Sequence, residues 1–172
     1  MNNPVYTIIG GVYGVGKSSF LGALKCCTTD LGIIIDDQTV ICDLVKKCMC
    51  FTQETLLSDQ HTIATARQTK EKGYYVRLYY VGLDTIDESR LRIANRVARG
   101  GKNVAGEEVE RCFANRWSAL KGILPYCDEA AFYDNGNGFT QVATYRNGEI
   151  ILEGDYLPKW VLEVRELFTQ DD

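Results

Sequence analysis

An eight-residue segment near the start of the chain strongly limits what this protein can fold into and bind. Residues 11–18 have the sequence GVYGVGKS, which matches the pattern G-x-x-x-x-G-K-[ST] at each fixed position. The pattern requires a strand before it and a helix after it. Residues 5–9 form a short run rich in β-branched side chains, and Phe20, Leu21 and Leu24 follow the segment at helical spacing. The segment therefore predicts a strand, a glycine-rich loop and a helix, in that order.

A loop of this kind binds phosphate mainly through its backbone. Glycines let successive N–H groups point at phosphate oxygens, and the N-terminus of the following helix adds positive potential. Lys17 is expected to reach the β- and γ-phosphates, and the hydroxyl of Ser18 is expected to hold Mg²⁺. We therefore expect ATP and Mg²⁺ as cofactors. The predicted nucleotide-binding residues are Gly11, Val12, Tyr13, Gly14, Val15, Gly16, Lys17, Ser18 and Ser19.

Strands and helices alternate along the rest of the chain. Further strands are predicted at 32–37, 51–55, 75–83 and 130–134, and helices at 40–48, 60–72, 85–99, 107–122 and 160–168. Asn147-Gly148 predicts a hairpin turn between two late strands. This pattern indicates an α/β protein with the P-loop NTPase fold, in which helices flank a mostly parallel sheet with a C-terminal β-hairpin. We expect a single domain over residues 1–172, with inserted lid helices at about 85–122.

Composition limits the partners and the cellular location expected for the protein. The net charge is −4 and the isoelectric point about 5.1, which argues against nucleic-acid binding through bulk charge. The first residues lack the basic start and apolar core of a signal peptide, and no apolar run approaches the ~18 residues of a membrane span. The seven cysteines include the adjacent Cys26 and Cys27, a poor basis for disulfides. We therefore expect a cytoplasmic protein with no nucleic-acid or membrane partner.

The type of phosphate-loop protein follows from motifs that the sequence lacks. It has no Asn-Lys-x-Asp guanine-binding motif of GTPases and no Leu-Ser-Gly-Gly signature of ABC ATPases. With 172 residues, the chain is also too short for a helicase or motor core with its relay elements. A small phosphoryl-transfer enzyme fits this length best.

Carboxylates at the predicted strand ends are candidates for acid–base chemistry. Asp36 and Asp37 end the second predicted strand, and Glu54 lies at the end of the third. Ligands of α/β sheets bind at the carboxyl ends of the strands, so a carboxylate there can accept a proton from an attacking hydroxyl. Asp37 can equally cap the following helix, and its position alone favours neither role. Asp84 resembles a Walker-B acid, but its place beside Thr85, which begins a capping box, favours a structural role.

Arginines on the predicted lid are the candidate phosphate-closing residues. Arg92, Arg96 and Arg99 follow i, i+4, i+7 spacing and therefore share one helix face. Such a stripe is usually solvated, but a P-loop kinase needs lid cations over the transferring phosphoryl group. Gly100-Gly101 directly afterwards supplies a plausible hinge. Arg111 and Arg116 on the next helix are weaker candidates, and Arg92 and Arg111 are expected to bind substrate.

Several ordered blocks resemble the zeta-toxin-like group of small P-loop kinases, which includes proteins labelled as predicted ABC-type ATPases. Together they extend through about residue 150. The blocks are residues 11–18, IDDQ at 35–38, FTQET at 51–55, GYYV at 73–76, RVARGGKNV at 96–104 and YDN at 133–135.

The resemblance implies particular roles. The best studied members use ATP to phosphorylate the sugar of UDP-N-acetylglucosamine, and act as toxins held by a partner antitoxin. By position, Asp37 resembles the base that activates the acceptor, and Glu54, followed by Thr55 in the same block, resembles an acceptor-binding carboxylate. Arg96 and Arg99 resemble the arginines that close over the phosphates. The catalytic set expected on these grounds is Lys17, Asp37, Arg96 and Arg99.

The chain also departs from the group. Lys102 stands where related ATPases commonly have histidine, and Cys112 where many have arginine. The stretch between Asp37 and Phe51 is short for the group. The leading hypothesis is therefore an ATP- and Mg²⁺-dependent kinase acting on a hydroxyl of a small metabolite, with a nucleotide sugar first. The alternatives are a nucleotide-binding regulatory or interaction module and a simple ATPase.

Overall fold

The computed structural model describes residues 3–57 and 60–169. Residues 1, 2, 58, 59 and 170–172 of the expected 1–172 domain lie outside the described residues. The strands are β1 (Val5–Gly10), β2 (Ile33–Ile35), β3 (Phe51–Thr55), β4 (Tyr75–Gly82), β5 (Glu129–Asp134), β6 (Thr140–Arg146) and β7 (Glu149–Leu152). The helices are α1 (Lys17–Leu24), α2 (Ile41–Lys46), α3 (Gln60–Glu71), α4 (Ile86–Ala98), α5 (Gly106–Ile123) and α6 (Lys159–Thr169).

The described strands form one seven-stranded sheet in the order β2-β3-β1-β4-β5-β6-β7. The pairs from β2 to β5 are parallel, and β6 and β7 are added antiparallel at one edge. This arrangement confirms the predicted mostly parallel α/β sheet with a C-terminal hairpin. Because β1 lies between β3 and β4, the loop after β1 faces the ends of both neighbours.

Alternating side chains divide the core between the two sheet faces. Tyr6 and Ile8 of β1 pack in a cluster with residues of α2, α3, α5 and α6, whereas Ile9 packs with α1. Successive side chains of a strand point to opposite faces, so helices cover both sides of the central strands. Double coverage explains why β1 and β4 are almost continuously apolar.

Local signals set several of the element ends. Asn147 and Gly148 have φ of 53° and 88°, as expected for the two central residues of a type I′ hairpin turn. The side chain of Thr85 accepts a hydrogen bond from the Glu88 N–H at the start of α4. Asp84 instead accepts the backbone N–H of Trp160 at the start of α6, so its role here is structural.

Two elements are shorter than expected from the sequence. β2 covers only Ile33–Ile35, because the chain enters a 3-10 turn at Gln38–Val40 instead of extending the strand to Asp37. α2 ends at Lys46, and Cys48 adopts a left-handed φ of 51° that ends the helical path. The seven cysteines all lie within the described residues and are free thiols. No helix in residues 3–57 or 60–169 is long and apolar enough to cross a lipid bilayer.

Candidate nucleotide and acceptor site

The loop between β1 and α1 has the conformation that its glycines were expected to provide. Gly14 and Gly16 have φ of 73° and 99°, in the left-handed region that favours glycine. A Cβ on Gly16 would lie 2.6 Å from the side-chain nitrogen of Asn135. Val12 and Val15 bury their side chains against α1 and β4, and this packing anchors the loop to the core.

Lys17 begins α1 and folds its side chain back over the loop. Its Nζ donates hydrogen bonds of 2.9 Å to the carbonyl oxygens of Gly11 and Val12. The pKa of Lys17 is lowered to about 8, chiefly by burial. The nearby positive charge of Arg96 contributes to this lowering. The ammonium is thus poorly solvated and lies next to the cradle that a phosphate would fill.

A cavity of about 640 Å³ opens in front of this loop. Its walls come from three elements that are distant in sequence: the phosphate loop, the end of β3 and the inner face of α4. The side chains used below that line it are Lys17, Ser18, Glu54, Thr55, Arg92 and Arg96. Three cations and the carboxylate of Glu54 thus line one space, a combination that suits phosphoryl transfer.

Ser18 and Glu54 meet at the base of this cavity. The Ser18 hydroxyl donates a 2.9 Å hydrogen bond to Oε2 of Glu54. The contact arises because Glu54 is paired in register with Ile9 of β1, close to the start of the phosphate loop. Hydroxyl and carboxylate oxygens are the ligands that Mg²⁺ prefers, so the residues present fit this metal. The sequence resemblance assigned Glu54 to the acceptor and did not reveal this contact.

Asp37 lies at the edge of a smaller neighbouring pocket of about 240 Å³. Its Oδ1 accepts the backbone N–H of Thr39 at 2.9 Å, so Asp37 does cap the 3-10 turn. That backbone hydrogen bond holds the pKa of Asp37 below its usual value, and the side chain is fully exposed. Asp37 can cap the turn with one carboxylate oxygen and still offer the other oxygen to a ligand in the pocket, because a carboxylate has two oxygens.

The three arginines predicted to close over the phosphates lie on one face of α4 and its end, as their spacing predicts. Arg92 donates a 2.6 Å hydrogen bond to the carbonyl oxygen of Asn135, and Arg96 donates one of 2.6 Å to the carbonyl oxygen of Lys102. Together with Arg99 they line a further cavity of about 470 Å³ beside the phosphate loop. The hydrogen bond from Arg96 stabilises the turn after α4. Lys102 takes part in it through its backbone carbonyl oxygen.

Three other residues predicted for the site form contacts with protein groups instead. Arg111 is paired with Glu108 on the exposed side of α5 and does not line the described cavities. Arg116 stacks on Phe113, with its guanidinium carbon 3.8 Å from the ring centre. Thr55 lines the main cavity, but its hydroxyl accepts the Leu57 N–H at 3.0 Å. Arg111 and Arg116 therefore act within α5 and its contacts in this structure.

Asn135 is a site residue for which the sequence gave no role. Its side-chain nitrogen donates a 2.9 Å hydrogen bond to the Val15 carbonyl oxygen, while its own carbonyl oxygen accepts from Arg92. Asn135 thereby joins the phosphate loop to α4. The only sequence signal was its place in the YDN block, where it was noted without a function.

Cys112 packs beneath the phosphate loop. Its side chain is buried with the cluster that contains Val12 and Val15. Burial raises the pKa of its thiol, so it places no charge beside Lys17 at neutral pH. Where the resemblance led us to expect arginine, this chain thus has a neutral, packed side chain.

Comparison with known proteins agrees with this geometry. No protein-family model matches the chain. A segment of 66 residues, 38% of this chain, is 33% identical to an uncharacterized protein of Haemophilus influenzae and makes up 47% of that protein. A chain from the PezAT chromosomal toxin–antitoxin system of Streptococcus pneumoniae matches 99% of this chain and 88% of its own length, with a TM-score of 0.64 and 14% identity. This chain has the P-loop kinase fold.

A second solved structure supports the same P-loop kinase fold. It is a chain of the AvrRxo1-ORF1:AvrRxo1-ORF2 complex, matched over 98% of this chain with a TM-score of 0.59 and 15% identity. This chain spans 63% of that neighbour's length, and the complex has also been solved with ATP. Identities this low establish the shared fold, so activity is argued from the site itself.

Proposed function

We propose that the protein transfers the γ-phosphoryl group of ATP, with Mg²⁺, to a hydroxyl group of a small metabolite. The observation that carries this proposal is the meeting of the phosphate loop with strand-end carboxylates. Lys17 and Ser18 line the larger cavity, Asp37 lines the smaller pocket, and Ser18 and Glu54 line both. A binding module would need the loop but not carboxylates directed towards an acceptor.

The larger cavity is proposed to hold the triphosphate. Lys17 would exchange its two carbonyl partners for phosphate oxygens, which raises its pKa and keeps it charged. Arg92 and Arg96 approach the same space from α4 and would neutralise charge that develops on the transferring group. Arg92 and Arg99 would contact the nucleotide from the cavity of about 470 Å³ beside the phosphate loop.

Ser18 and Glu54 would hold the magnesium ion. When bound, Mg²⁺ neutralises phosphate charge and orients the β- and γ-phosphates. The existing hydrogen bond keeps the hydroxyl and the carboxylate together in advance. This proposal moves Glu54 from an acceptor-binding role to the metal, although the residue also borders the acceptor pocket.

Asp37 is proposed as the base towards the acceptor. One carboxylate oxygen remains bonded to Thr39, and the other accepts the proton of the attacking hydroxyl. The acceptor oxygen forms a bond to the γ-phosphorus, the bond from that phosphorus to the β–γ bridging oxygen breaks, and ADP leaves. The low pKa of Asp37 keeps it ionised and ready at neutral pH.

Asp37→Asn tests this proposal. The variant should lose about 10²- to 10⁴-fold in phosphoryl transfer while its affinity for ATP stays within about twofold. The matched control is Asp43→Asn, which removes the same charge from the exposed side of α2. Incubation of the wild type with ATP, Mg²⁺ and a metabolite panel should yield one phosphorylated acceptor class. Wild-type rates in Asp37→Asn would remove the base assignment.

A nucleotide-binding regulatory or interaction module is the second candidate, and one observation favours it. Asp37 already has a structural partner in Thr39, and a pure cap needs no acceptor. In that case ATP binding would be tight, turnover to any acceptor would be absent, and Asp37→Asn would affect only stability. A simple ATPase would instead release phosphate equally with and without acceptors.

The resemblance to zeta toxins implies one finer hypothesis for the acceptor, which the charges of the site do not favour. It makes UDP-N-acetylglucosamine the first nucleotide sugar to assay. The toxin–antitoxin system that contains the PezAT neighbour supports an antitoxin-like protein partner, and a cytoplasmic location stays a prediction from the sequence. Induced expression in a bacterial host should arrest growth, and Asp37→Asn should relieve the arrest. Equal growth with both versions would count against a toxin.

A further inference from the structure

The smaller pocket beside the phosphate loop has a composition that restricts what can enter it. We call it the acceptor pocket, and its defining side chains are Ser18, Asp36, Asp37, Gln38, Gln53 and Glu54. At about 240 Å³ it has room for roughly eight water molecules of ~30 Å³ each, which suits a small compound. It adjoins the larger cavity through Ser18 and Glu54.

Gln53 supplies a hydrogen-bond donor that has no protein partner among the described residues. Its side chain is 4% exposed, and its Oε1 accepts a 2.6 Å hydrogen bond from the hydroxyl of Tyr6. This bond fixes the amide so that its nitrogen is the group left for a ligand in the two adjoining cavities that Gln53 lines. Within the described residues that nitrogen donates to no protein atom, and it is not among the fully buried side-chain atoms, so it is open to the space that Gln53 lines. An oxygen atom of a ligand would satisfy it.

The charges around the acceptor pocket have one sign. Among the described residues that line it, three are carboxylates and none is lysine or arginine. The cations of the site, Lys17, Arg92 and Arg96, line the larger cavity instead. Even when Glu54 is assigned to Mg²⁺, Asp36 and Asp37 remain, and no cation lining the pocket compensates them.

We propose that the acceptor is a small polyhydroxy compound that is uncharged or carries an amino group, and not a nucleotide sugar or another anionic metabolite. This inference rests on the proposed kinase function. Carboxylates accept hydrogen bonds from hydroxyl or ammonium groups, and the Gln53 amide donates to a hydroxyl or carbonyl oxygen. A diphosphate, phosphate or carboxylate on the acceptor would instead face like charge without a partner.

The test compares acceptors with the same hydroxyl framework and different charge. The wild type is assayed with ATP and Mg²⁺ against glucose and glucosamine, then glucuronate, glucose 6-phosphate and UDP-N-acetylglucosamine. Inositols and amino alcohols extend the first group. We expect kcat/KM for the best neutral or cationic acceptor to exceed that for each anion by about tenfold or more.

Asp36→Asn sharpens the comparison. This change removes one carboxylate from the acceptor pocket and should shift the ratio of anionic to neutral turnover upwards by about three- to tenfold. Asp43→Asn removes the same charge outside the pocket and should leave the ratio unchanged. A ratio that moves equally in both variants would show an effect of net charge alone and would overturn the inference.

The possible outcomes separate this inference from the proposed function. Anionic acceptors that are used as well as neutral ones, or better, would overturn the inference while the kinase proposal stands. Absence of turnover with every acceptor of both groups would overturn the kinase proposal, and the inference with it. Selective turnover of the neutral or amino compounds would support both.

Discussion

The hydroxyl of Ser18 lies 2.9 Å from Oε2 of Glu54 and donates a hydrogen bond to it. These residues are 36 positions apart, and the pairing of β3 beside β1 brings them together. The contact joins the phosphate loop to the carboxyl end of the neighbouring strand. If Mg²⁺ binds here, Ser18 and Glu54 would hold it with two oxygens that are already in contact.

Glu54→Gln should weaken the use of magnesium. The amide keeps the size of the side chain but loses the charge, so the Mg²⁺ concentration at half-maximal rate should rise about 10- to 100-fold. A magnesium titration of ATP turnover measures this shift, and chelation by EDTA should abolish the activity of both forms. Glu71→Gln, on the exposed end of α3, is the control. An unchanged titration curve would remove Glu54 from the metal site.

Lys17 should make ATP binding depend on pH. Its amine is charged below a pKa of about 8 and neutral above it, because burial disfavours the charge. Affinity for ATP in the free protein should therefore be constant below pH 7 and fall by up to about tenfold per pH unit above 8. Calorimetry from pH 6.5 to 9.5 checks this. Lys17→Arg keeps its charge throughout, so any binding it retains should lack the decline.

Asn135→Ala should loosen the phosphate loop. The change removes the donor to the Val15 carbonyl oxygen and leaves the backbone bond to Arg92 in place. We expect about 1 kcal/mol lower free energy of unfolding and about tenfold weaker ATP binding. Asn137→Ala, at an exposed position of the same loop, is the matched control. Equal ATP affinity in the two variants would contradict the proposed coupling.

Asp134→Ala should destabilise the fold without touching the nucleotide. Asp134 accepts the indole N–H of buried Trp160 at 3.0 Å and the Gly136 N–H at 2.8 Å. Loss of both acceptors should lower the free energy of unfolding by about 2–3 kcal/mol, which urea denaturation measures. Asp155→Ala, in an exposed neighbouring loop, should change it by less than about 0.5 kcal/mol. Similar losses in both variants would disprove this account of Asp134.

Much of the fold was predictable because its signals are local. The strand, glycine loop and helix around residues 5–24, the Thr85 cap and the Asn147-Gly148 turn all depend on neighbouring residues. The errors in β2 and α2 occur where short elements meet. There, hydrogen bonds between side chain and backbone, such as that from the Thr39 N–H to Asp37, compete with the strand and helix propensities of the chain.

The candidate site was predictable only in part. Lys17, Ser18 and the lid arginines follow from a motif and a helical period, and the structure places them around adjoining cavities. Arg111 was expected at the substrate but pairs with Glu108, because this oppositely charged side chain lies one helical turn away on α5.

The sequence by itself determined the phosphate loop, since eight consecutive residues carry its glycines, its cation and its hydroxyl. It also determined the alternation of strands and helices, through the spacing of apolar side chains. Only the tertiary structure decided that Glu54 meets Ser18, that Asn135 joins the loop to Arg92, and that the acceptor pocket contains carboxylates without cations. The reason is physical: strand order and register set which distant side chains share a space, and spacing along one chain does not encode them.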